Sequence, residues 1–81
     1  MIDDNFLQEI YKKRENQYEK AEAADIVAFK FYIRTKIFTY NDLFKFCNNN
    51  YAQTNKSIDT WWVDKKILRV YDEMGVFEFI Y

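Results

Sequence analysis

Lys65, Lys66 and Arg69, set close to Trp61 and Trp62, are the residues whose types point most directly to chemistry. At about 100° per residue, a helix over 59–74 puts Trp61, Trp62, Lys65, Arg69 and Asp72 on one side. Val63, Ile67, Val70, Tyr71 and Met74 fall on the other and turn toward a core. Cations spaced in this way reach phosphates or guanine edges, with Lys45 and Lys56 as further phosphate contacts. Trp61, Trp62, Lys65 and Arg69 also suit the anchor of a protein interface, because indole and guanidinium groups dominate such hot spots. In a third arrangement the two indoles fold back into the core, and the hot spot disappears.

Other chemistries find little support. The chain has no histidine, so the commonest general base and the commonest neutral metal ligand are both missing. Its one cysteine, Cys47, lies on an apolar helical stripe and reads as core rather than as a nucleophile. Asp3-Asp4 and Asp72-Glu73 are adjacent pairs, whose side chains diverge on a helix instead of converging on a metal or a proton. With one glycine there is no glycine-rich phosphate loop. The expectation is a binding module rather than an enzyme, with no cofactor, metal or small-molecule substrate.

The 81 residues suffice for one domain with one core. Seventeen aromatic side chains, eight Phe, seven Tyr and two Trp, offset the small size and leave a surplus suited to an interface. One cysteine allows no internal disulfide, and the acidic start Met1-Ile2-Asp3-Asp4-Asn5 is unlike a signal peptide. No run approaches a membrane span. A soluble, cytoplasmic protein with no membrane partner is expected. Net charge is −1 but unevenly spread: residues 30–70 carry eight basic and three acidic side chains, between acidic flanks. Lys30, Arg34, Lys36 and Lys45 add to the basic middle, which suits phosphate contact or is simply solvated surface.

Without proline, and with Gly75 as the lone glycine, the chain should be mainly α with a minor β element. Residues 1–20 read as an N-terminal helix, thin in apolar stripe, that packs on the domain 21–81 or pairs with another chain as a homodimer. Residues 21–38 read as a helix, although Val27, Phe29, Phe31 and Ile33 alternate as a strand would. Thr39 and Asp42 resemble a capping arrangement for a helix over 40–50. Asn48-Asn49-Asn50 then leads into a polar loop, Ser57 or Asp59 caps the helix over 59–74, and Gly75 stops it. Val76 to Tyr81 reads as a strand.

The order helix, helix, polar loop, helix, glycine, strand, and the run from Ser57-Ile58-Asp59-Thr60 through Ile67, Val70 and Met74-Gly75-Val76-Phe77, resembles a winged helix-turn-helix domain. The resemblance covers about residues 21–81 and implies a small DNA-binding transcriptional regulator with the helix at 59–74 as recognition helix. Only six residues follow Gly75, so a two-stranded wing is missing or its strand pairs elsewhere, and Glu78 without a cation is unsuited to phosphates. The rival expectation is a protein-binding inhibitor or adaptor, of the small kind made by phages and mobile elements.

Overall fold

A computed structural model of the chain describes residues 20–81, so the expected N-terminal helix lies almost wholly outside the described residues. The elements run α1 (Ile26–Ile33), β1 (Ile37–Thr39), α2 (Tyr40–Phe46), α3 (Tyr51–Val63), β2 (Ile67–Tyr71), a single 3₁₀ turn (Asp72–Met74) and β3 (Val76–Phe79). Three helices pack against one antiparallel three-stranded sheet of order β1-β3-β2.

Asp25 starts α1 by accepting the N–H groups of Val27 at 2.9 Å and Ala28 at 3.4 Å. Helical spacing then turns Phe29 fully inward, with Ile26 and Ile33 partly buried beside it. Val27 and Phe31, which a strand would have put on the face of Phe29, are exposed. The helix is shorter than the sequence suggests. Arg34 ends it in the left-handed region, and the residues from Ile37 form β1 instead.

Thr39 closes β1 and opens α2 through a reciprocal cap. Its hydroxyl accepts the Asp42 N–H at 3.1 Å while its own N–H donates to the Asp42 carboxylate at 2.8 Å. Cys47 to Asn50 then join α2 to α3 in a turn of four residues. Asn48 and Asn49 take positive φ values of 56° and 59°, a conformation asparagine tolerates better than most residues. Asn50 caps α3 by accepting the Gln53 N–H at 3.0 Å.

The segment expected to be a polar loop is therefore the first half of α3. Its inward face is Thr54, Ser57, Ile58 and Trp61. The two hydroxyls are fully buried yet satisfied, Thr54 donating to the Asn50 carbonyl at 2.7 Å and Ser57 to the Gln53 carbonyl at 2.6 Å. Lys65, at φ 57°, turns the chain out of α3. No helix runs over 59–74. Residues 67–71 form the strand β2, with Ile67 buried and Val63, Val70 and Met74 exposed, so the expected inward stripe exists only at Ile67.

β3 is the central strand. Phe77 lies opposite Phe38 of β1 and Arg69 of β2, and Phe79 lies opposite Ile67. The strand after Gly75 thus finds its hairpin partner in residues that precede the glycine. Phe29 is the hub of the core, with ring centroids 5.0 Å from Phe38, 5.2 Å from Phe46 and 5.7 Å from Trp61. Much of the aromatic surplus is spent inside. Among the described residues, no helix is long and apolar enough to cross a membrane.

Candidate nucleic-acid interface

The turn Cys47–Asn50 holds α2 and α3 as a pair, and two contacts fix α3 against the rest of the domain. The Ser57 hydroxyl accepts the Ala24 N–H at 2.7 Å, and the Tyr40 hydroxyl donates to the Asn55 side chain at 2.8 Å. With Thr54, Ser57, Ile58 and Trp61 turned inward, the opposite side of α3 is half-exposed along its middle and well exposed at Val63 among the described residues. There Lys56, Asp59, Thr60, Val63 and Asp64 line one open depression of about 300 Å³. Gln53 is half-exposed on one flank near the helix start, and Tyr51, well exposed, lies on the other flank with its ring 4.3 Å from that of Phe44 in α2.

Of the residues expected to bind, only some meet. Lys56 lies on the outward side of α3 and Lys45 in the exposed last turn of α2. Lys65 and Lys66 are exposed, but they belong to the turn after α3 and not to a helix face. Arg69 belongs to β2. Its guanidinium reaches Asp59 of α3 at 3.5 Å and Asp72 at 3.8 Å, and it covers the Trp62 ring at 5.1 Å from the centroid. The long distances and partial exposure of these pairs make each a weak contact, worth roughly 0–1 kcal/mol.

The grouping of Trp61, Trp62 and Arg69 on one face is corrected by the same geometry. Trp61 is buried among Phe29, Phe38 and Phe79, whereas Trp62 is 43 % exposed beneath Arg69. On a helix that ends at Val63, residue 61 points to the core with 54, 57 and 58, and residue 62 points about 100° away. Sequence reasoning leaves Gln53 in a loop because it begins the helix eight residues too late. The available signal was Asn50 as a cap, followed by Thr54, Ser57, Ile58 and Trp61 at spacings of three, one and three.

The electrostatics of the surface are mixed. Asp59 on α3 and Asp64 just after it accompany Lys56, and the β2–β3 turn carries Asp72 and Glu73 with no cation of its own. Cys47 is buried, and desolvation raises its thiol pKa above the ordinary value, only partly opposed by hydrogen bonding with Thr54 and Ser57. A thiol of that kind is held protonated and is a poor nucleophile. Among the described residues, no cluster of three potential metal ligands occurs.

Comparison with known proteins gives nothing to lean on. No family model, no curated protein and no solved structure matches this chain.

Proposed function

We propose that this chain is a small winged-helix-like DNA-binding regulator in which α3, residues 51–63, is the helix presented to the major groove. The observation that carries the reading is the order of elements around α3. Two helices joined by four residues are followed directly by an antiparallel hairpin, β2–β3, and no other described element covers the side of α3 opposite the core.

In such an arrangement the first half of the second helix meets base edges. Gln53 and Lys56 have side chains suited to base edges, since an amide pairs with adenine and an ammonium with guanine. The positive end of the helix dipole at Asn50 and Tyr51 favours a nearby phosphate, and Lys45 adds a charge on the supporting helix. The hairpin contributes little, since Asp72 and Glu73 at its turn repel phosphates. Affinity therefore rests on few cations and falls with salt. Titration of a labelled duplex at about 50 mM salt tests the reading; absence of binding below about 100 μM, weaker than ordinary non-specific affinity, overturns it.

One observation favours the rival reading, a protein-binding inhibitor or adaptor. Trp62 is partly exposed and stacked by Arg69, with exposed Val63 beside it, and this pairing suits an interface anchor. Under this reading, Trp62→Ala weakens the partner by roughly 2 kcal/mol or more and leaves the fold intact.

A further inference from the structure

The sheet carries opposite charge at its two ends. Ile37 of β1 and Ile67 of β2 lie near the end of β3, opposite Glu78 and Phe79, whereas Thr39 and Tyr71 both lie opposite Val76 at its start. At the first end the backbone is closed by the Phe79 N–H donating to the Lys36 carbonyl at 2.8 Å and the Ile80 N–H donating to the Lys66 carbonyl at 2.9 Å. Lys36 and Lys66 therefore flank the same strand end from two sides, joined by Arg34 and Lys65 from the same two loops. All four are exposed and none is ion-paired among the described residues; Asp64 in those loops and Glu78 of β3, opposite Ile37, are fewer than the four cations they accompany.

The other end is the turn Asp72–Gly75, roughly 14 Å away along a strand of four residues. It carries Asp72 and Glu73 and no cation. Arg69 reaches Asp72 at 3.8 Å, which leaves the Glu73 carboxylate without an ion-pair partner among the described residues. Exposed apolar side chains accompany both ends: Ile37 at the basic one, Tyr71 and Met74 at the acidic one. Charge at each end, with apolar surface beside it, makes the two surfaces complementary to each other rather than to themselves.

We infer that the acidic hairpin turn of one copy docks on the basic sheet end of a second copy, head to tail. Such an interface joins two different patches, so it does not close on a dimer and extends to short open chains. Charge selects the partner and sets the register, while Met74 and Tyr71 against Ile37 contribute the apolar contact. The acidic turn is then used on protein, which accounts for carboxylates where a phosphate-binding hairpin would carry lysine. The inference does not need DNA, and its main test is made without it.

The test is molar mass against concentration for the full chain, by light scattering or sedimentation, at about 50 mM and about 1 M salt, where the screening length falls to about 3 Å. Mass is expected to rise with concentration at low salt and to collapse toward the monomer at high salt. The variant Asp72→Lys/Glu73→Lys has two basic ends and the variant Lys65→Glu/Lys66→Glu gains an acidic one. Each alone is expected to associate about tenfold more weakly than the parent, and an equimolar mixture of the two to associate again. All four positions are exposed turn residues, and circular dichroism verifies that the folds are retained. A parent chain that stays monomeric to about 1 mM overturns the inference, as do variants that associate like the parent or a mixture that fails to associate. Loss of duplex affinity in Lys65→Glu/Lys66→Glu with unchanged mass would assign the basic end to DNA and also overturn it.

Discussion

Trp61 and Trp62 are neighbours in the chain and opposites in environment: Trp61 is 3 % exposed with its ring 5.7 Å from Phe29, and Trp62 lies under the Arg69 guanidinium. Replacing Trp61 by alanine is expected to cost about 3–5 kcal/mol, a large part of the stability of so small a domain. Trp62→Ala removes one exposed cation–π contact and should cost no more than about 1 kcal/mol. Urea denaturation of the two single variants separates them. Equal losses would contradict the inward and outward assignments.

Ser57 ties the chain before α1 to the middle of α3 by accepting the Ala24 N–H and donating to the Gln53 carbonyl. In Ser57→Ala the Gln53 carbonyl keeps its helical surroundings, but the Ala24 N–H loses its partner in a buried place. A loss of about 1–3 kcal/mol is expected, more than for a solvent-facing serine. Amide exchange at Ala24 checks the cause, because that proton should become far less protected while the rest of α3 changes little.

Gly75 has φ 63°, and a Cβ there would sit 3.0 Å from the Cβ of Tyr40, whose N–H donates to the Gly75 carbonyl at 2.6 Å. Gly75→Ala combines left-handed strain with a crowded contact between the hairpin and α2. About 2 kcal/mol of stability should be lost in chemical denaturation. An unchanged midpoint would mean that the turn relaxes away from Tyr40.

These residues also show how far the sequence can be read. The Thr39–Asp42 cap, the glycine in a left-handed turn and the apolar strand after it were all legible, because each depends on side chains within a few positions of one another. The step from few glycines to few turns failed. Arg34, Asn48, Asn49 and Lys65 take positive φ without glycine, held by the elements they join, so three chain reversals carried no glycine mark. The first half of α3 was hidden because its buried face is Thr54 and Ser57, polar by composition and satisfied only by backbone carbonyls one turn earlier. β2 reads as helix in the sequence because Val63, Ile67, Val70 and Met74 happen to fall at spacings of three and four, while its burial is decided by pairing with the strand that follows Gly75. Of the site, Lys56 and Arg69 were legible as residues, but their surroundings depended on where α3 begins and ends.

Cys47 provides a pH-dependent prediction. Its pKa is raised in the folded chain by desolvation, so above the unfolded value, about 9.0, the unfolded state loses the proton first. The stability this proton contributes is complete below that pH and declines as pH rises past it. Relative to Cys47→Ala, the parent should lose stability more steeply over the window that opens at about pH 9.0 and extends upward. Parallel denaturation curves for both proteins across that window would contradict the burial of the thiol. Alkylation by iodoacetamide at pH 8 should also be much slower in the folded chain than in urea.

The DNA reading gives α3 and the hairpin turn opposite roles, and three substitutions test them. Lys56 is on the outward side of α3, so Lys56→Ala should weaken duplex binding and, if it neutralises one phosphate, lower the slope of log K against log salt by roughly 0.9. Glu73 is an exposed carboxylate of the hairpin turn, which this reading sets beside the phosphates, so Glu73→Lys should strengthen binding and steepen the same slope. Gln53→Ala should alter preference among duplex sequences more than affinity for mixed-sequence DNA, because an amide reads base edges and neutralises no phosphate. Anisotropy titrations at several salt concentrations measure all three. If Lys56→Ala and Gln53→Ala both bind as the parent does, α3 is not the reading element, and the exposed Trp62 with Arg69 becomes the surface to pursue.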